Sequence, residues 1–171
     1  HPEQNANLFS REYFELARAR LSRDGVFSVW LPMYQMSEET FKILIKTFYS
    51  AFPHVTVWYA STHPTRHALL VGSKTKLTID FGLLQEELAY PPVRESLRSV
   101  GLDDVFTVLS NFVTDESAIG GYVADSVVST DNHPYLAYYN PIQKGRFPLV
   151  VSRVLEIFAE LSVPVSPYVV N

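Results

Sequence analysis

The sequence predicts an α/β fold followed by a mainly helical C-terminal region. Two amphipathic helical patterns near the start of the chain alternate with short apolar runs of strand length, and helical patterns dominate after residue 76. The 171 residues are 47% hydrophobic, which is enough apolar material for one core. We therefore expect a single domain, with an α/β half-sheet over residues 1–76 and a mainly helical extension over residues 77–171.

Residues 10–21 form the first predicted helix, and residues 26–31 form the first predicted strand. Ser10 is a suitable N-cap residue, and Glu12 lies near the positive end of the helix dipole. The apolar positions that set the helical period are Phe9, Tyr13, Leu16, Ala17 and Leu21. After a turn at residues 23–25, the apolar run is too short for a helix and is typical of a strand covered on both faces.

A second helix and a pair of strands follow. The helix is predicted over residues 37–52, because Ser37 and two glutamates form a cap and Pro53 stops it. Residues 55–59 and 67–71 are the next two strands, and the short link between them suits a hairpin. The predicted order in this half is therefore helix, strand, helix, strand, strand.

The second half of the chain is dominated by helical patterns. Asp80 is a suitable cap for a short helix, and a Pro-Pro pair begins another helix over residues 91–101. A further helix is predicted over residues 103–112. Residues 120–139 lack clear periodicity and are predicted to form a structured loop, whereas residues 149–161 form a final amphipathic helix.

Composition excludes several classes of protein. A net charge of −4 and a pI of about 5.7 argue against nucleic-acid binding, which needs a basic face. The absence of cysteine excludes disulfide scaffolds and thiol catalysis. No apolar run approaches the roughly 18 residues that span a bilayer, so we expect a soluble chain without membrane contact. Cysteine content favours neither a reducing nor an oxidising compartment, and our expectation for the location is the cytoplasm. The first two residues, His1 and Pro2, do not resemble a natural start, which favours a fragment.

Four segments together resemble one known family. They are NLFSREYFELARARLSRDGVFSVWLPMYQ, FYSAFPHVTVWYAS, ALLVGSK and STDNHPYL, and their order resembles the C-terminal half of spermidine synthase-like proteins. The resemblance covers roughly residues 3–139. It is strongest to the bacterial branch in which such a domain is often fused to membrane spans.

The resemblance implies a Rossmann-like methyltransferase fold, of which this chain is the C-terminal half. It places residues 26–31 at the fifth strand and the hairpin at the sixth and seventh strands, and the family's seventh strand lies between the fifth and the sixth. S-adenosylmethionine or its decarboxylated form is the implied cofactor. The family's glycine-rich loop, ribose-binding acid and catalytic aspartate would lie upstream of His1, so we expect this chain to hold neither a cofactor nor a catalytic residue itself.

The implied function is that of the C-terminal part of an aminopropyl- or methyltransferase-like enzyme, with a polyamine or another small molecule as substrate. Polyamine-making relatives commonly carry a Gln-Thr-Glu-Ser-like run at the end of the fifth strand. This sequence has Trp30-Leu31-Pro32-Met33 there. The acceptor and the transferred group therefore remain open.

Substrate-binding candidates follow the first strand. Trp30, Tyr34 and Gln35 lie at its carboxyl end, where open α/β sheets bind their ligands. In the alternative interpretation, Trp30 belongs to the core and Tyr34 is a covering residue.

Two loops supply the remaining candidates. His63 belongs to a segment that partly matches a Tyr-Pro-Ser-Gly-like substrate-holding segment of the relatives. His63 and His67 do not predict a metal site, because they flank a strand while their spacing of four is helical. Asp131 and Asn132 lie in a loop that either lines the ligand cleft or has a purely structural role as a turn.

A noncatalytic module that self-associates is the alternative to a transferase. The resemblance implies that the family's fourth strand, which would lie upstream of His1, pairs with the strand over residues 26–31. Without that neighbour the strand would expose unpaired backbone groups, and such an edge pairs readily with another chain. We therefore expect a homo-oligomer, most simply a dimer.

Overall fold

The computed structural model describes residues 6–34, 36–60, 65–138 and 150–171. It is a mixed α/β structure around a four-stranded antiparallel sheet with the strand order β1-β3-β2-β5. These strands are β1 (Val26–Pro32), β2 (His54–Trp58), β3 (His67–Ser73) and β5 (Phe112–Asp115). A small parallel pair joins β4 (Ile79–Asp80) to β6 (Val169–Val170).

Helices connect and surround these strands. In the first half they are α1 (Arg11–Arg20) and α2 (Glu38–Ala51). In the second half they are α3 (Phe81–Ala89), α4 (Pro91–Arg98), α5 (Val105–Leu109), α6 (Glu116–Tyr122), α7 (Tyr135–Tyr138) and α8 (Val151–Leu161). The α/β pattern and the helical second half are therefore present, as the sequence predicts.

The predicted helix caps are confirmed. The Ser10 hydroxyl accepts a hydrogen bond from the Tyr13 amide at 3.2 Å, and the Ser37 hydroxyl accepts one from the Thr40 amide at 3.1 Å. Asp80 caps α3 in the same way. Each cap satisfies an amide that has no partner inside its helix, so the starts of α1, α2 and α3 follow directly from local sequence.

Strand β3 lies between β1 and β2 and is antiparallel to both. Its register runs from Val26 opposite Ser73 to Pro32 opposite His67 on one side. On the other side His54 also lies opposite Ser73. Because both outer strands oppose β3, β1 and β2 are parallel to each other and their carboxyl ends meet at one edge of the sheet.

One face of this sheet is closed by α1 and α2 through a cluster of aromatic rings. The ring of Phe14 in α1 lies 5.0 Å from that of Phe48 in α2. Phe52 stacks on Phe48 at 4.8 Å and on Phe27 of β1 at 5.9 Å. Aromatic pairs at these distances add to the stabilisation that burial already provides. The main core therefore lies between this face and the two helices.

The opposite face of β1 is exposed, which corrects the prediction that this strand is covered on both sides. Residues alternate in exposure along β1, and Val26 and Trp30 are 50% and 65% exposed. The reason is that α1 and α2 both pack on the face that carries Phe27. This apolar run therefore forms a strand that is buried on one face only.

The predicted helix over residues 103–112 is too long. Helix α5 ends at Leu109, and Phe112 begins β5, which pairs with the outer side of β2. Phe112 and Thr114 are buried while Val113 is partly exposed, and this alternation with a period of two is that of a strand. The predicted loop over residues 120–139 also contains the end of α6 and the short helix α7.

A close approach between β3 and Phe52, the residue that follows α2, limits which side chains the sheet can accommodate. A Cβ atom at Gly72 would lie 2.5 Å from the Cγ atom of Phe52, whose ring is held between two other rings. We expect Gly72→Ala to destabilise the protein by about 1–3 kcal/mol, because the core would be overpacked. Urea unfolding followed by circular dichroism measures this change.

Gly121→Ala is the matched control. Gly121 lies in α6, and a Cβ atom there would meet nothing within 4 Å. Alanine should therefore stabilise the helix by about 0.5–1 kcal/mol. Equal stability of the two alanine variants would contradict the close packing of β3 on Phe52.

Asp115 joins three parts of the second half. It ends β5, accepts a hydrogen bond from the Ser117 amide at the start of α6 at 2.9 Å, and accepts another from the Tyr168 hydroxyl at 2.7 Å. Burial alone would raise the pKa of Asp115, but the hydrogen bonds from Ser117 and Tyr168 outweigh it and lower that pKa. The ionised carboxylate is therefore the form that the folded state favours.

The stability of the protein should depend on pH through Asp115. A lowered pKa in the folded state stabilises the protein above the unfolded value of about 3.9, and this contribution is lost as the pH falls through the folded value. Asp115→Asn should therefore cost about 1 kcal/mol at pH 7, and this cost should shrink toward pH 3.

Urea unfolding at several pH values tests this expectation. Tyr168→Phe keeps the carboxylate and removes only one donor, so it should reproduce part of the loss at pH 7. A cost of Asp115→Asn that grows as the pH falls would contradict the assignment.

Candidate functional site

An aromatic cluster lies at the carboxyl end of β1. The ring of Trp30 lies 4.9 Å from the ring of His67, and the ring of Tyr34 lies 5.4 Å from it on a nearly perpendicular plane. The Tyr34 hydroxyl oxygen is 3.5 Å from the Nε2 atom of His67. The guanidinium carbon of Arg66 lies 5.8 Å from the Tyr34 ring centroid. We call Trp30, Tyr34, Arg66 and His67 the aromatic cluster.

Backbone pairing positions the aromatic cluster. The Met33 amide donates to the Arg66 carbonyl at 2.9 Å. This bond continues the antiparallel pairing of β1 and β3 beyond Pro32 and fixes the backbone position of the next residue, Tyr34. The Thr65 hydroxyl accepts from the His67 amide at 3.2 Å and donates to the His67 carbonyl at 2.7 Å. Side chains at strand ends are thus held by the sheet itself, which keeps their relative positions precise.

The cluster offers ring faces, an imidazole, a phenol and a guanidinium. Such groups stack on planar molecules and exchange hydrogen bonds with them. None of the four side chains is a carboxylate. The cluster can therefore hold a flat or electron-rich group, whereas neutralising a cation requires other residues.

A pocket of about 640 Å³ extends from the aromatic cluster over the exposed face of the sheet. Its floor is a row of three side chains in register across three strands, namely Trp30, Leu69 and Trp58. The opposite wall comes from the second half of the chain. The wall residues are Leu77, Ile79, Leu84, Leu102, Val108, Leu109 and Asn111. This volume lies within the usual range of ligand-binding pockets.

Asn111 is the polar exception in that wall. It is 7% exposed, and its Oδ1 atom is buried without a hydrogen-bond partner among the described residues. Its backbone is fixed on both sides, since its amide donates to Val108 at 3.2 Å and its carbonyl accepts from Tyr59 at 2.7 Å. Buried acceptors without partners are rare and call for an explanation.

The predicted site residues have different outcomes. Trp30 is exposed and lines the pocket, so the alternative that it belongs to the core is wrong. Tyr34 is partly buried against His67. Gln35 and His63 lie outside the described residues.

Asp131 and Asn132 lie elsewhere on the molecule. Both are exposed, and the Asp131 amide donates to the Glu12 carboxylate of α1 at 3.1 Å. The neighbouring Ser129 amide donates to Thr47 of α2 at 2.9 Å. The loop is therefore anchored on the helices that cover the closed face, whereas Trp30 faces the other side of the sheet.

An adenosylmethionine-type group does not fit the described residues. In sites of this kind an acidic residue usually takes the ribose hydroxyls, but the described residues that line the pocket include no carboxylate. The seven glycines of the sequence contain no Gly-x-Gly turn. Among the same described ranges, no group of three or more metal-ligating side chains occurs, and no helix is long and apolar enough to cross a membrane.

Trp58, Arg66 and Asn111 were not predicted as site residues, and His67 was considered only as a metal ligand. Trp58 could have been found from the sequence, because the alternation along the second strand places it opposite the face that carries Val55 and Val57. Asn111 carries no such signal, since its position depends on a helix end and a strand that meet only in the folded chain.

Comparisons with known proteins add no assignment. The chain matches no protein-family model, and a search of curated proteins gave no match either.

Proposed function

We propose that this chain is the C-terminal part of a spermidine synthase-like transferase acting in the cytoplasm, of the aminopropyl- or methyltransferase type, and that the aromatic cluster forms part of its acceptor site. The main support is the strand order β1-β3-β2. In the family the seventh strand lies between the fifth and the sixth, and the last strand of the present α/β unit lies between the two that precede it.

The direction of the strands supports the same proposal. β3 is antiparallel to both neighbours, as expected of a last strand that returns by a hairpin and inserts between two parallel strands. α2 connects β1 to β2 in a crossover that skips one strand position. Parallel strands joined through a helix are the building unit of α/β enzymes.

The position of the aromatic cluster supports its role in binding. Ligands of open α/β sheets bind outside the carboxyl ends of the parallel strands. β1 ends at Pro32 and β2 at Trp58, and Trp30 and Trp58 lie opposite the same residue of β3, Leu69. The position of the cluster at the carboxyl ends of β1 and β2 supports the proposal that it binds the acceptor.

Variants of the aromatic cluster test the acceptor site in the full-length protein that carries this chain. Trp30→Ala and Tyr34→Phe should each lower kcat/KM at least tenfold, because each removes a group that contacts the acceptor. The thermal midpoint should move by less than about 2 °C, since Trp30 is exposed and Tyr34 keeps its ring.

Tyr90→Phe is the matched control for the phenol. Tyr90 is exposed at the start of α4, away from the cluster, so this variant should keep the parent rate. If Trp30→Ala lowers the thermal midpoint and leaves kcat/KM unchanged, the acceptor site does not include the cluster.

The exposed edge of β1 favours a second candidate function, that of a self-associating module. β1 is the end strand of its sheet among the described residues, and Val26 and Trp30 are exposed beside its free edge. An apolar edge strand of seven residues is a template for pairing with another chain. On this proposal the isolated chain forms a symmetric dimer.

A charge on the exposed face of β1 should disrupt such a dimer. Ser28→Lys places a cation among the exposed residues of the strand, which natural edge strands use against pairing. Sedimentation over a concentration series should show that the dissociation constant of the dimer rises at least tenfold. Ser96→Lys on the exposed surface of α4 is the control, and equal effects of both lysines, or a monomer in the parent chain, would contradict the module.

A further inference from the structure

We propose that the pocket over the exposed sheet face binds an aromatic monocarboxylate. The rings of this ligand lie on the floor formed by Trp30, Leu69 and Trp58. Its carboxylate meets the imidazole of His67, which lines the same pocket at one end of that floor. The proposal goes beyond the transferase reaction, because it concerns a ligand that this chain binds without a cofactor and without turnover.

The floor favours a flat apolar body. Trp30 and Trp58 lie on either side of Leu69 in the same row of the sheet, so their backbones are separated by two strand spacings, roughly 9–10 Å. The Nε1 group of Trp58 already donates to the Thr56 hydroxyl at 2.9 Å. Leu69 between the two indoles is 39% exposed. A ring system lying on Leu69 would therefore remove apolar surface from water and lie between an indole on each side.

His67 supplies a hydrogen-bond donor at the end of the floor. It precedes Leu69 by two residues on β3, so the two side chains share a face and lie roughly 7 Å apart along the strand. The imidazole is half-buried, and its ring lies 4.9 Å from that of Trp30. Its Nε2 atom is 3.5 Å from the Tyr34 hydroxyl, while its Nδ1 atom has no hydrogen-bond partner among the described residues. Histidine keeps at least one N–H donor in either charge state, so this ring can donate to a carboxylate.

The charges at this end of the pocket favour an anion. The described residues that line the pocket include no Asp, Glu, Lys or Arg, so His67 is the one among them that can carry a positive charge. The next residue toward the N-terminus, Arg66, is exposed, and neither side chain has an ion pair with a described carboxylate. A ligand carboxylate would receive a charge-assisted hydrogen bond there. An ammonium ion would find no opposite charge among these residues and would lose hydration.

Two probes with the same rings test the role of the carboxylate. 2-Naphthaleneacetate and 2-naphthaleneacetamide differ only in a carboxylate against a neutral amide, and a single methylene places that group beside His67 when the rings lie on Leu69. Calorimetry with the 171-residue chain should show the carboxylate binding about tenfold more tightly than the amide. The only two tryptophans of the chain line the pocket, so their Nε1–H signals in NMR report occupancy independently of the heat of binding.

His67→Phe keeps a ring and removes both the donor and the charge. The preference for the carboxylate should disappear in this variant, while the amide should bind as it does to the parent chain. His67→Gln restores an N–H donor and should recover part of the preference. His133→Phe is the matched control, because His133 is exposed, does not line the pocket and belongs to the loop anchored on α1. Both probes should bind this control with parent affinity.

A pair of floor variants keeps the test valid where His67→Phe fails to fold. Leu69 is on the surface. Leu69→Glu places a carboxylate beside the proposed anion site, and Leu69→Gln has the same shape without the charge. 2-Naphthaleneacetate should bind at least tenfold more weakly to Leu69→Glu than to Leu69→Gln, because like charges repel across the floor. The amide should bind the two variants equally.

Equal affinity of the two probes for the parent chain, no binding of either, or a preference for the carboxylate that persists in His67→Phe would each overturn the proposal. Equal affinity of 2-naphthaleneacetate for the two Leu69 variants would overturn it as well. These measurements use this chain alone and require no turnover. Their failure would therefore leave the transferase proposal standing, and unchanged kcat/KM in the aromatic cluster variants would leave this one standing.

Discussion

Antiparallel pairing of β3 with both β1 and β2 is the constraint on which the rest of the structure depends. It fixes the register in which Trp30, Leu69 and Trp58 form one row, and it makes β1 and β2 parallel. The pairing is tight enough that β3 carries a glycine where Phe52 approaches. A slip by one residue would turn the exposed side chains of β3 toward the helices, so one register determines both the core and the exposed face.

The two faces of the sheet differ in what covers them. The face that carries Phe27 is closed by rings from α1 and α2 and supplies the packing that stabilises the fold. The other face carries Trp30 and is bounded by the second half of the chain, so it is open to ligands. Rigid strands backed by a packed core hold side chains more precisely than loops do. The aromatic packing on the closed face therefore supports the candidate site, although the site residues lie on the opposite face.

The features that local sequence determines could be predicted, and those set by distant contacts could not. The caps at Ser10, Ser37 and Asp80 need only residues within one turn. The exposure of Trp30 depends on which face of the sheet α1 and α2 cover. The sequence of β1 does not determine that face, because both of its faces carry apolar residues. The strand that begins at Phe112 depends on pairing with β2, and the position of Asn111 in the wall of the pocket depends on the same pairing.

Trp30 belongs to both the aromatic cluster and the pocket, so an acceptor that binds to the cluster would also meet the lining of the pocket. An acceptor held by Trp30 and Tyr34 would extend onto Leu69 and reach toward a wall whose described residues include no carboxylate. A polyamine carries charges along its length and would leave them unpaired there. The Trp30-Leu31-Pro32-Met33 run in place of polar residues points the same way. If the chain serves a transferase, the apolar floor formed by Trp30, Leu69 and Trp58 favours an acceptor that carries a flat apolar group.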